Sequence, residues 1–117
     1  MAKFMVIARG DLPPGMSPAD MQRVLEKYMA WGQRLGAKGK LDHGNKLKDR
    51  EGRVVGKVGG EKGSKPTVTD GPYAEAKEII GGYWILEAKD YAEAMSLVVD
   101  SPHLEYGTLE VRAVEVL

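Results

Sequence analysis

Residues 70–88 read DGPYAEAKEIIGGYWILEA. Asp70-Gly71-Pro72 is a chain reversal, followed by a short charged segment, then Gly81-Gly82, then the apolar run Tyr83-Trp84-Ile85-Leu86. A run this dense, bounded by turn residues, reads as a central strand covered on both faces. The turn chemistry placed immediately before it suggests a pocket wall, with Asp70 facing a ligand.

Working outward, Lys3 to Arg9 is apolar at every position from Phe4 to Ala8 and forms a second such strand. Gly10 to Gly15, with Pro13 and Pro14, ends it. Ser17-Pro18-Ala19-Asp20 is a helix start: Ser17 caps, Pro18 suits the first helical position, and Asp20 sits at the positive end of the dipole. Met21, Val24, Leu25, Tyr28 and Leu35 share one face of the amphipathic helix this begins, which spans Pro18 to Lys38.

Between Lys40 and Lys65 glycine and charge dominate. Two short strands are expected there, Lys46 to Arg50 and Arg53 to Val58, turning at Glu51-Gly52, with a third at Lys65 to Thr69. LDHGN places His43 in an exposed turn, and Gly59 to Gly63 reads as a loop. After Gly82 to Ala88, Asp90 and Glu93 make an acidic capping box for a helix over Tyr91 to Val99. That helix is expected to turn Tyr91, Ala94, Met95 and Val98 inward and to stop at Ser101-Pro102. Thr108 to Leu117 closes the chain as a strand.

The order of strand, long helix, strands, short helix and strand is that of an α+β domain on the ferredoxin-like split βαβ plan, with both helices on one face of an antiparallel sheet. The dense strands imply that the other face is also covered. No third helix is available, so a homodimer packed sheet to sheet is expected.

A chain of 117 residues with 43% hydrophobic and 29% charged residues is one domain, residues 1–117, with a modest core. Seventeen basic and 17 acidic residues balance, so no global field draws the protein to nucleic acid or to an anionic membrane. The absence of cysteine excludes disulfides, a thiolate nucleophile and cysteine-ligated metals. The apolar start is too short for a signal core or a membrane span, which places the protein in the cytoplasm.

The segment TVTDGPYAEAKEIIGGYWILEA, residues 67–88, resembles the one that names the DGPF branch of the YCII-related proteins, and SPHLEYGTLEVRAVEVL is similar to that branch's ending. Tyr73 stands where the branch name has Phe. The resemblance implies a subunit that pairs into a dimeric α+β barrel, with a small-molecule cleft between sheet and motif loop. It also implies a regulatory setting, because such proteins are often encoded beside extracytoplasmic-function sigma factors. For the related YciI branch the resemblance implies a proposed catalytic His–Asp pair with its His in the first half of the chain, on the long helix. Here no His lies between Pro18 and Lys38, and that chemistry is not carried over.

Asp70 has two readings: a turn residue accepting backbone hydrogen bonds, or a cleft carboxylate acting as general base. His103, in SPHLEYG, stands at a proline-marked corner where it is either a satisfied structural histidine or a second member of Asp70's cleft. Tyr73 and Arg112 are candidates for the same wall. Glu110 and Arg112 share a strand face, where a cross-strand or dimer-contact ion pair is expected. Two distant histidines with no HxH or HExxH spacing argue against a metal site. No GxSxG, Walker or Rossmann motif is present, so no nucleotide or other cofactor is expected. Two functions stay open: a cofactor-independent enzyme using Asp70, or a regulatory module that works with a sigma factor.

Overall fold

In the computed structural model the described residues are 1–57, 66–70 and 79–117, with the side chains of Lys57, Thr69 and Asp70 left undescribed. The order is β1 (Ala2–Arg9), α1 (Pro18–Ala37), β2 (Leu41–Lys46), β3 (Arg53–Lys57), β4 (Pro66–Asp70), β5 (Ile80–Ala88), α2 (Tyr91–Val98), a short 3-10 turn (Pro102–Glu105) and β6 (Thr108–Ala113). Tyr73 and the Gly59–Gly63 segment lie outside the described residues.

Four strands form one antiparallel sheet in the order β2-β5-β1-β6. β5 therefore lies between β1 and β2, and β1 between β5 and β6, which is the interleaving the split βαβ plan requires. β3 and β4 form a separate two-stranded sheet, with Val55 opposite Val68 and Arg53 opposite Asp70.

The region between α1 and β3 departs from expectation. The second strand is Leu41–Lys46 rather than Lys46 to Arg50, and it pairs with β5, not with β3. The glycine and charge in LDHGNK hid it, because an edge strand needs only one apolar side and this one is further shortened by a register shift between Leu41 and His43. His43 is accordingly a strand residue whose ring meets Tyr83 edge-on at 5.9 Å. β6 ends at Ala113 rather than Leu117, and Pro102–Glu105 adds a 3-10 turn that periodicity did not announce.

Both helices pack on one sheet face. Ser17 caps α1 by accepting from the Asp20 amide, with Pro18 in the first turn. Asp90 caps α2 by accepting from Glu93 N. Glu93 completes a displaced capping box: its carboxylate accepts from Lys89 N, one residue before the cap, and also from Lys40 Nζ at 3.2 Å. These contacts, the Lys89 amide first, hold the Glu93 carboxyl below its usual range.

The core unites Val6, Leu86, Trp31, Leu35 and Val98, flanked by Phe4, Ala88 and Ala94. Trp31 is its largest fully buried side chain; its ring meets Trp84 edge-on at 5.1 Å and its Nε1 donates to Asp100 at 3.2 Å. On α2 only Ala94 and Val98 are buried. Tyr91 and Met95, expected inward, are about half exposed. Tyr91 instead lies across the helix end, its ring edge on Phe4 and its hydroxyl accepting from Ala113 N.

The opposite sheet face carries Met5, Ile7, Tyr83 and Ile85, all half-buried, ringed by polar groups. Glu110 pairs there with Arg9 of the neighbouring strand at 2.9 Å, a cross-strand ion pair, while Lys3 bridges Asp42 at 2.6 Å.

Candidate ligand cleft

A cleft of about 390 Å³ opens between α1 and the β2–β5 edge, closed at one end by the loop after β1. Leu12, Leu25, Met29, Leu41 and Trp84 supply its apolar wall, and the Tyr28 ring lies nearly parallel to Trp84 with centroids 6.4 Å apart. The glycines supply its room. A Cβ on Gly44 would overlap the Trp84 ring, and one on Gly82 would come within 3.0 Å of the Asn45 carbonyl. Trp84 can thus lie flat over β2, and β5 can press against its edge neighbour. Gly81 and Gly10 also line the space, and Gly10 N donates to Ile79 O at 2.9 Å. This accounts for Gly81-Gly82: the start of β5 runs along the cleft wall.

His103 stands at the polar end. Ser101 caps the 3-10 turn by accepting from His103 N at 3.2 Å, and the side chain is turned inward to 5% exposure. Its Nε2 lies 2.8 Å from the Arg9 carbonyl and its Nδ1 lies 2.9 Å from the Tyr28 hydroxyl. A carbonyl can only accept, so Nε2 carries a proton, and in the neutral form of the ring Nδ1 accepts from Tyr28. Gly107 makes this possible: a Cβ there would overlap the Arg9 oxygen and come within 3.0 Å of His103 Nε2. Burial, and then the nearby Tyr106 and Glu105, push the Tyr28 hydroxyl up to about 12.

Other polar groups on the wall are committed. Asp11 Oδ1 accepts from Leu12 N at 2.8 Å, Lys46 Nζ pairs with Asp49 at 2.9 Å, and the Asn45 amide donates to Tyr83 Oη at 3.1 Å. The described residues include no cluster of three or more His, Asp or Glu able to hold a metal, and none of their helices is long and apolar enough to cross a membrane.

Of the residues singled out in the sequence, His103 lines this cleft. Arg112 is exposed and lies on the opposite sheet face, since its neighbour Val111 packs against the core. Asp70 ends β4 opposite Arg53, its side chain outside the described set, as is Tyr73. Sequence reading placed Tyr28 on the apolar helix face and missed its hydroxyl; its helical spacing carried no sign of a polar partner 75 residues away.

A two-helix, antiparallel α+β domain with a lateral apolar cleft is the class that fold and site define. The YCII-related domain model matches residues 4–117, and the chain belongs to that family. No curated protein matches the sequence. Among solved structures the fold is similar to 5-chloro-2-hydroxyhydroquinone dehydrochlorinase (TftG) from Burkholderia phenoliruptrix AC1100, in complex with 2,5-dihydroxybenzoquinone. The likeness has a TM-score of 0.51 at 17% identity over 97% of this chain and 93% of that one.

Proposed function

We propose that this YCII-related protein binds a small, largely apolar molecule in the α1–β2–β5 cleft and acts on it by cofactor-independent acid–base chemistry. The observation that carries the reading is a mostly apolar cleft with a few convergent polar groups, ending in a buried histidine bonded through both ring nitrogens. The dehydrochlorinase that shares the fold acts on a small ring compound, which supports a small-molecule ligand. Asp70 is retained as a candidate carboxylate, since Gly81 and Gly82, which follow its motif in the sequence, line the cleft. The open face bearing Met5, Ile7, Tyr83 and Ile85 favours a sheet-to-sheet homodimer, the arrangement of a dimeric barrel. A sedimentation series remaining at 12.8 kDa over a wide concentration range would exclude that dimer.

The test is a thermal-shift screen of small metabolites on wild type, Asp70→Asn and His103→Gln. A ligand at 100 times its dissociation constant adds about 2.7 kcal/mol of stability. The expected hit perturbs tryptophan fluorescence and weakens in His103→Gln. Weakening in Asp70→Asn as well would assign the motif carboxylate to the site. Failure of every compound to protect the wild type would refute the cleft as a ligand site.

A further inference from the structure

We infer that Tyr28 is the ligand-facing member of a proton relay ending on His103, whose ring the Arg9 carbonyl anchors, and that the cleft takes a planar apolar ligand presenting a hydrogen-bond donor, an acidic hydroxyl or N–H. This inference rests on the cleft being a ligand site and adds which residue meets the ligand and with what polarity.

The direction of the hydrogen bonds carries it. The Arg9 carbonyl has no hydrogen, so the 2.8 Å contact commits the imidazole proton to Nε2. In the neutral ring, the form the relay uses, Nδ1 is then an acceptor, and the single Tyr28 hydroxyl hydrogen is spent on it across 2.9 Å. Tyr28 therefore has only oxygen lone pairs left for a ligand. His103 is buried whereas Tyr28 is half-buried on the cleft wall, so Tyr28 is the member a ligand meets. The remaining wall chemistry agrees. Asp11 and Asp49 are acceptors, while Lys46 Nζ already donates to Asp49 and the Leu47 carbonyl and the Asn45 amide to Tyr83. A ligand lacking a donor would desolvate the Tyr28 Oη lone pairs without supplying a hydrogen bond to them. The near-parallel Tyr28 and Trp84 rings favour a flat ligand on the same wall.

The proton transfer balances within these groups. The ligand X–H bond breaks and its hydrogen bonds to Tyr28 Oη, while Tyr28's own hydrogen moves to His103 Nδ1. The products are a ligand anion and an imidazolium whose Nε2–H stays on the Arg9 carbonyl. Tyr28 passes the proton rather than holding the charge, because burial, Tyr106 and Glu105 all resist its ionisation. The groups that bear on the relay are Tyr28 from α1, the Arg9 carbonyl from β1, and Glu105 and Tyr106 from the 3-10 turn and its end.

The test uses the intact protein, with 4-nitrophenol as donor probe and 4-nitroanisole as its donor-free analogue, at a pH where free 4-nitrophenol is neutral. Tryptophan quenching should show 4-nitrophenol binding about tenfold more tightly, the factor one hydrogen bond supplies. Its bound absorbance should move to the nitrophenolate band. Tyr28→Phe should erase both effects. His103→Gln, which keeps groups able to meet Tyr28 and Arg9, should bind 4-nitrophenol without the nitrophenolate band. Imidazole ¹⁵N spectra of the free protein should show His103 protonated at Nε2 alone. A proton on Nδ1 of the neutral ring, or equal binding of the two probes, overturns the relay while leaving the cleft as a ligand site. Binding of neither probe overturns the relay together with the cleft reading.

Discussion

Replacing Gly107 by alanine tests the packing on which the candidate site depends. The added methyl would overlap the Arg9 carbonyl oxygen and come within 3.0 Å of both Arg9 C and His103 Nε2, so backbone must move, not merely a flexible side chain. Overpacking of this kind costs about 1–3 kcal/mol. Displacing the Arg9 carbonyl also weakens its bond to His103, worth roughly 0.5–1.5 kcal/mol. The expected loss is therefore about 2–4 kcal/mol, a large share of the 5–15 kcal/mol or so that hold an ordinary domain together. In melting temperature that is on the order of 10 °C. Gly36→Ala is the matched control: it lies within α1, with nothing within 4 Å of its added Cβ. That change should stabilise by up to about 1 kcal/mol through helix propensity. Urea unfolding at unchanged slope reads both variants. A Gly107→Ala protein within about 0.5 kcal/mol of wild type would show that the Arg9 carbonyl is not held against His103 as described.

Trp31→Ala should be the more damaging core change, costing about 3–5 kcal/mol, because it removes the largest fully buried side chain together with its contact to Trp84; urea unfolding midpoints measure it, and a loss under about 1 kcal/mol would contradict the core assignment. Acid should reveal Glu93. Its folded carboxyl titrates below the unfolded value, so its contribution is present above the unfolded value of 4.5 and is lost as pH falls through the lower folded value. Stability profiles of wild type and Glu93→Gln should therefore converge toward the acid end of that window, and parallel profiles down to pH of about 2 would refute the linkage.

Much of the frame is local information. The apolar runs at Phe4 to Ala8 and Tyr83 to Leu86, the Ser17 and Asp90 caps, and the start of β6 at Thr108 are set by neighbours a few residues apart, and each appears where the sequence placed it. β2 escapes a reading of periodicity because an edge strand made of LDHGNK carries no hydrophobic period of its own; its pairing with β5, with Gly44 against Trp84 and a bulge at Asp42, gives it its register.

Composition and spacing thus suffice for the α+β class, for both helices and their starts, and for His103 as a residue at a corner worth testing. The tertiary structure alone reveals that His103 meets Tyr28 across 75 positions, that Arg9 presents its carbonyl to the ring's other side, and that Gly107 leaves room for the approach. The reason is physical. Caps and amphipathic periods are properties of short segments, whereas a tautomer is set by two partners that sequence separates and only packing brings within hydrogen-bond distance.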